Sequence, residues 1–275
     1  MITLEQAFQE GKHILTEAGI EEAMLDAWYL MEYCFLINRA SYYMNTKAEV
    51  EDAKYQMYLV CIEKRSKRIP LSHITNSRDF YGYTFFVNEN VLIPRQETEV
   101  LVEEALKVCK GKRVLDLCTG SGCIIISLAK EGNLKEAVGV DISKQALEVA
   151  TKNAVDLEAE VLFLHSDLFE QVEGTFDVIV SNPPYIPTLE IEELMPEVRL
   201  HEPMLALDGT ADGLAFYRKI INEAKRYLNK GGSVLFEIGH DQGDAVKNLF
   251  LEAEFEDVTV IQDLTGRDRV VTARY

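Results

Sequence analysis

From Thr3 to Pro70 the apolar residues recur at the three-to-four spacing of amphipathic helices. Leu4, Ala7, Phe8, Leu15 and Ala18 fall on one face; Thr3 and Gln6 form a capping pair ahead of them, and Gly19 ends the run. The same spacing predicts a second helix over Glu21–Phe35 and a third over Glu49–Lys67, halted before Pro70. Helices without strands predict a small all-helical domain over residues 1–75. From Tyr81 the period shortens. Tyr81–Val87 and Val91–Ile93 flank the polar Asn88-Glu89-Asn90, which predicts a β-hairpin linker over 76–95.

Over 96–275 apolar strands alternate with amphipathic helices. The strand candidates are Arg113–Leu117, Ala137–Val140, Val161–His165, Phe176–Val180 and Ser233–Ile238. The helices between and around them are Glu99–Cys109, Cys123–Lys130, Lys144–Ala154 and Leu214–Leu228. Such alternation predicts an α/β fold with a doubly wound, mostly parallel, Rossmann-like sheet. Asp257–Gln262 and Arg269–Ala273 break the alternation around a turn-rich link and predict an antiparallel pair at its end.

Charge narrows the function classes. Lys and Arg number 28 against 46 Asp and Glu, a net charge of −18. A chain that grips nucleic acid unaided carries a basic face, because phosphate neutralisation supplies most non-specific affinity. Acidity points instead to a small-molecule or protein substrate and to no stable nucleic-acid binding. The five cysteines are odd in number and lack C-x-x-C spacing, which fits reduced thiols in the cytoplasm rather than a disulfide frame or zinc site. The histidines show no i, i+4 pairing, so no metal is expected. The opening Met1-Ile-Thr-Leu-Glu-Gln is unlike a signal peptide, and no run reaches the roughly 20 apolar residues of a membrane span.

The densest chemical signal follows the first strand of the alternating region: Asp116-Leu117-Cys118-Thr119-Gly120-Ser121-Gly122-Cys123. Small residues between a strand and a helix let backbone approach a ligand, and the helix start offers free N–H groups. Asp141, at the end of the next strand, can accept from both ribose hydroxyls of an adenosyl group. A dinucleotide site wants a third glycine where Ile125 stands, and Asp116 would repel a pyrophosphate. S-adenosylmethionine, with an ammonium and a sulfonium, suits the acidic loop better. In Ser166-Asp167-Leu168-Phe169, a carboxylate can take the adenine amino group and an apolar side chain can cover the ring.

After the fourth strand comes Ser181-Asn182-Pro183-Pro184-Tyr185-Ile186-Pro187. Three prolines stiffen the backbone and remove N–H donors, leaving carbonyls, one amide and one ring. That surface suits a planar NH₂ group. Asn182 Oδ1 and the Pro183 carbonyl can each accept one N–H, and Tyr185 can stack on the plane. The nitrogen lone pair then faces a methyl donor. Catalysis by Asn182, Pro183 and Tyr185 is positional and electrostatic, with Asn182 also touching the cofactor.

These motifs, together with Val91-Leu92-Ile93-Pro94-Arg95-Gln96-Glu97-Thr98-Glu99, Phe236-Glu237-Ile238-Gly239 and Gly266-Arg267-Asp268-Arg269-Val270-Val271, resemble the peptide chain release factor N5-glutamine methyltransferases over nearly the whole chain. The resemblance implies a helical substrate-recognition domain, a hairpin linker and a class I methyltransferase sheet. It also implies the substrate, the glutamine of the Gly-Gly-Gln loop in class 1 release factors. By carry-over, Cys118, Thr119, Gly120, Ser121, Gly122, Asp141 and Leu168 line the cofactor site, beside Asp167. Asn182, Pro183, Pro184 and Tyr185 hold the glutamine, and S-adenosylhomocysteine is the product. The family often carries glycine where Cys118 stands and proline where Gln96 stands.

The N-P-P-Y motif is shared with nucleic-acid exocyclic-amine methyltransferases acting on adenine N6 or guanine N2. That alternative shares the chemistry but calls for phosphate contacts and a target-recognition domain. A ribosomal-protein glutamine methyltransferase is a nearer alternative. A cofactor sensor without turnover and a nicotinamide-dependent oxidoreductase are further ones.

Overall fold

The structure, a computed structural model, describes residues 2–275. The chain divides into two compact units, one of Ile2–Asn76 with Met195–His201, the other of Ser77–Leu194 with Glu202–Tyr275.

The first unit is helical, with α1 (Leu4–Glu17), α2 (Ala23–Phe35), α3 (Arg39–Met44), α4 (Asp52–Ser66) and α5 (Leu71–Thr75). The capping pair at the start of α1 is reciprocal: Thr3 N–H donates to Gln6 Oε1 at 2.9 Å and Gln6 N–H to the Thr3 hydroxyl at 3.3 Å. Leu4, Ala7 and Leu15 of α1 meet Leu30, Met31, Tyr58 and Ile62 in its core. Arg65 of α4 is buried between Asp26 at 2.6 Å and Glu197 at 2.9 Å, and Arg68 reaches the same Glu197 at 3.3 Å. Helix α3 is absent from the sequence expectation, although Asn38 caps it through Ser41 N–H at 2.9 Å.

The second unit opens with a hairpin of β1 (Arg78–Phe80) and β2 (Tyr83–Phe85). The expected pairing of Tyr81–Val87 with Val91–Ile93 does not form. The chain turns earlier, at Tyr81 and Gly82, whose φ angles of 49° and 79° match the two-residue turn that suits strand twist. Asn88 instead closes a loop by accepting from Asn90 N–H at 3.0 Å, and Val87, Val91 and Ile93 are buried as loop residues.

There follow α6 (Glu99–Leu106), β3 (Arg113–Leu117), α7 (Cys123–Glu131), β4 (Glu136–Asp141), α8 (Lys144–Asp156), β5 (Leu162–His165) and β6 (Phe176–Ser181). Two single turns, α9 (Pro196–Arg199, of the helical unit) and α10 (Met204–Leu207), precede α11 (Ala215–Tyr227), β7 (Leu228–Glu237), α12 (Gly243–Glu252), β8 (Glu256–Gln262) and β9 (Asp268–Arg274). Helix α12 is also absent from the sequence expectation. The sheet order is β5-β4-β3-β6-β7-β9-β8, parallel from β5 to β7 and antiparallel at β9 and β8.

Period-two alternation builds two cores. In β3, Val114 points to one face and Leu115 and Leu117 to the other; in β6, Val178 and Val180 oppose Ile179. Helices α6 and α7 cover the first face, with Leu101, Val102, Ile125 and Leu128, and α11 and α12 the second, with Tyr217, Ile220, Val246 and Phe250. Strand order reverses at β3 and β6, and a crevice outside the carboxyl ends of the strands is the expected ligand position in such a sheet.

Candidate active site

One cleft lies at those strand ends, and its wall includes Cys118, Thr119, Gly120, Ser121, Asp141, Asp167, Leu168, Asn182 and Pro184. Nine of the sequence-predicted cofactor and acceptor residues thus meet in one cleft. Gly122, Pro183 and Tyr185 are not part of that wall. Pro183 is buried, and Tyr185 is half-buried against the core that contains Phe236.

The glycine loop is held from below and from the side. Asp116 is fully buried, accepts the Thr119 hydroxyl at 2.6 Å and is absent from the cleft wall. It therefore shapes the loop instead of meeting a ligand directly. Burial, opposed by the Thr119 hydrogen bond and reinforced by Asp141, pushes its carboxyl up to about 7. Thr119 N–H donates to Val140 O at 2.9 Å, tying the loop to β4. Gly122, at φ 79°, starts α7 where a Cβ would stand 2.9 Å from Ile126 Cδ1 and 3.2 Å from Ala150 Cβ, so glycine permits α7 and α8 to close on each other. Cys118 occupies φ 60°, the left-handed region that favours glycine. Burial and then the Asp141 and Asp116 charges raise its thiol well above the usual range, so it is no ready nucleophile.

Asp141 ends β4 with both oxygens already anchored. Oδ2 accepts from Gly120 N–H at 2.9 Å and Oδ1 from Ser143 N–H at 2.8 Å. Each oxygen keeps a second lone-pair direction for a diol. Burial raises its pKa, and these N–H donors oppose the rise. The turn after β5 is closed by Ser166, which donates to Leu168 O at 3.0 Å and accepts from Gln171 N–H at 2.9 Å. Leu168 is thereby held at φ 46° in the cleft, whereas Phe169 turns into the core and stacks on Tyr227 at 4.5 Å.

The Asn182–Pro187 segment is held by residues the sequence reading passed over. Gln242 Nε2 donates to Tyr185 O at 3.0 Å while its Oε1 accepts from Gly239 N–H at 2.9 Å. Ile186 N–H donates to Leu207 O at 3.1 Å, and Gly209 N–H to Ile186 O at 2.8 Å. A Cβ on Gly209 would lie 2.7 Å from the Tyr185 backbone. Ser181 at the end of β6 donates to Leu117 O at 2.6 Å.

Further cleft residues also went unassigned. Ile142, about half exposed beside Asp141, offers an apolar face for a ring; an aliphatic residue after an acidic strand end is the signal that could have found it. Arg95 and Thr98 line the cleft from the Val91–Glu99 stretch. Glu202 accepts from Ile93 N–H at 3.2 Å and pairs with Arg95, which fixes that wall. Glu99 accepts from Tyr81 N–H at 2.9 Å and ties the hairpin to α6.

At the strand ends the wall carries Asp141 and Asp167, while of its basic residues Arg95 pairs with Glu202 and Lys219 lies over the Phe216 ring at 5.7 Å. That favours a cationic ligand over a pyrophosphate. Among the described residues no group of three or more His, Cys, Asp or Glu side chains is placed to hold a metal ion. No helix of those residues is long and apolar enough to cross a membrane.

Comparison with known proteins adds an independent line. Residues 6–75 match a family described as PrmC N-terminal domain, and residues 95–198 one described as Methyltransferase small domain. The chain is 40% identical over 274 residues to a release factor glutamine methyltransferase of Geobacter sulfurreducens, spanning 99% of this chain and 96% of that one. It is 40% identical over 276 residues to one of Caulobacter vibrioides, spanning 98% and 96%. Among solved structures, a methyltransferase from Pyrococcus furiosus superposes with a TM-score of 0.57 at 19% identity, over 77% of this chain and 98% of that chain, which shows the shared fold.

Proposed function

Because the chain belongs to the release factor glutamine methyltransferase family, we propose that it transfers one methyl from S-adenosylmethionine to the N5 amide nitrogen of the glutamine in the Gly-Gly-Gln loop of class 1 release factors. The observation that carries this reading is the meeting of Asn182 and Pro184 with Cys118–Ser121 and Asp141 in one cleft. S-adenosylmethionine supplies a methyl on a sulfonium sulfur, and S-adenosylhomocysteine is left.

The residues present fit that cofactor. Asp141 would hold the ribose hydroxyls, Ile142 and Leu168 would cover the adenine, and Asp167 would accept from its amino group. The loop Cys118–Ser121, held by buried Asp116, would offer backbone to the methionine portion.

An amide nitrogen is a weak nucleophile because its lone pair is delocalised. Asn182 Oδ1 and the Pro183 carbonyl accept the two N–H groups of the glutamine and set its plane, with Tyr185 flanking it. Holding the nitrogen at attack distance contributes roughly 7–11 kcal/mol in favourable cases. The same two acceptors stabilise positive charge as it develops on the nitrogen. One N–H proton is then lost to water.

The reading extends to the setting. A chain of net charge −18 suits a protein acceptor better than bare nucleic acid, and five unpaired thiols suit a reducing cytoplasm. The test is peptide mass spectrometry of a purified class 1 release factor incubated with this protein and S-adenosylmethionine. One added methyl on the Gly-Gly-Gln glutamine, absent when that residue is changed, is the expected result. Label passing instead to ribosomal protein or RNA of a lysate overturns the substrate.

A further inference from the structure

Glu237, the last residue of β7, carries a buried carboxylate that the reaction described above does not use. The residue is 2% exposed, and its Oε2 has no hydrogen-bond partner. The two guanidinium groups near it are engaged elsewhere, Arg95 with Glu202 and Arg269 with Asp263 at 3.3 Å. A polar neighbour is Thr98, itself 2% exposed, and the pairing of Ser181 with Phe236 sets the next residues of the two strands, Asn182 and Glu237, side by side. Thr98 in turn receives Asn182 Nδ2 at 3.5 Å. Side chains from β7, the turn before α6 and the residue after β6 thus stand close together around the acceptor amide.

A threonine hydroxyl has a single proton. Given to a carboxylate, that proton is spent, and Oγ1 can only accept from Asn182. The amide must then show Thr98 its NH₂ group, which leaves Oδ1 on the opposite side. An acceptor NH₂ needs that oxygen; a rotated Asn182 would present N–H to N–H and repel it. We propose that Thr98 and Glu237 are positioning residues: ionised Glu237 accepts a hydrogen bond from the Thr98 hydroxyl, and Thr98, left only to accept, thereby turns Asn182 Oδ1 toward the glutamine amide. The inference rests on the glutamine reading above and adds how the polarity of Asn182 is set.

The charge on Glu237 becomes a control. Burial raises this carboxyl to about 7. The groups facing it are Arg95 and Glu97 ahead of α6, Arg269 of β9, Tyr185, Tyr217 of α11 and Cys123 of α7. Protonated Glu237 would donate to Thr98, whose hydroxyl would then donate a hydrogen bond to Asn182 and favour the rotated amide. The methyl-transfer rate therefore falls as pH drops through this region.

The test uses the full chain, saturating S-adenosylmethionine and a class 1 release factor in single turnover, from pH 5.5 to 9. Thr98→Val removes the hydroxyl at nearly constant shape. It is expected to lose roughly tenfold to a hundredfold in rate, less than the roughly 10²–10³ for removing a directly contacting group. Cofactor affinity measured by calorimetry stays within about threefold, and Thr98→Ser restores the rate. Glu237→Gln, which still accepts from Thr98, keeps most of the rate at pH 8.5 and loses the acid limb. The relay alone fails if wild type turns over and Thr98→Val matches it, if Thr98→Val loses cofactor affinity as steeply as rate, or if Glu237→Gln keeps the acid limb. A wild-type chain that methylates no glutamine sinks the acceptor reading and the relay with it.

Discussion

The side-chain amide of Gln242 spans two backbones, donating to the Tyr185 carbonyl at 3.0 Å and accepting from Gly239 N–H at 2.9 Å. It pins the Asn182–Tyr185 segment to the turn after β7. Replacing it by the similarly shaped Met leaves a buried carbonyl and a buried N–H unpaired, which destabilises by about 1–3 kcal/mol each at most. Gln242→Met should show that loss in urea unfolding together with a fall in kcat of about tenfold. Cofactor affinity should change little. An unchanged kcat would show that Asn182 and Tyr185 keep their place without the clamp.

Gly209 tests the same clamp by volume. Its Cβ would meet Tyr185 Cα and C at 2.7 Å. Gly82 is the control, since its φ of 79° disfavours a side chain but nothing lies within 4 Å of the added atom. Both Gly209→Ala and Gly82→Ala should destabilise, by about 1–3 and about 1–2 kcal/mol respectively. Thermal unfolding with parallel turnover assays separates them, because only Gly209→Ala should depress turnover.

Asp116 makes stability depend on pH. Burial lifts its carboxyl from 3.8 to about 7. Between those values the unfolded chain has given up a proton that the folded chain retains, so stability falls as pH rises through the window and the loss is complete above it. Asn in its place still accepts from Thr119 and never ionises. The Tm advantage of Asp116→Asn over the wild type should therefore grow from pH 4 to pH 7 and then level off. An advantage independent of pH would show that the carboxyl titrates in its ordinary range.

Asn182 and Asp141 should separate turnover from binding. Asn182→Ala should cut kcat by about 10²–10³ while sparing S-adenosylmethionine affinity, as expected for a group aimed at developing charge. Asp141→Ala frees the N–H groups of Gly120 and Ser143 and removes the diol acceptor, so affinity should fall by about tenfold to a hundredfold, the worth of a charge-assisted hydrogen bond. Calorimetry and steady-state kinetics check both. Equal loss of binding and kcat in Asn182→Ala would reassign it to the cofactor.

The sheet and the glycine loop were legible because they are encoded locally. Arg113–Leu117 is a strand with the predicted bounds, and Cys123 starts the predicted helix after it. The hairpin was misplaced because Tyr81 and Gly82 together supply the turn, and an aromatic at positive φ leaves no mark in hydrophobic alternation. Thr98, Glu202 and Gln242 each have a partner between 57 and 109 positions away, as in Gln242 to Tyr185 and Glu202 to Ile93. Periodicity carries no record of such pairings. Even so, Thr98 and Glu237 both stand inside stretches that carried the family resemblance.

The placement of Met195–His201 within the helical unit has a practical corollary for dissecting the protein. A fragment ended at residue 76 would retain Asp26 yet discard Glu197, the carboxylate shared by Arg65 and Arg68. Arg65 would then keep only Asp26 and Arg68 would lose its carboxylate, and a buried guanidinium stripped of one partner is among the more destabilising lesions a small core can suffer. Excision, limited proteolysis or grafting of this unit should therefore carry the seven-residue return segment along, joined to α5 by a short flexible tether.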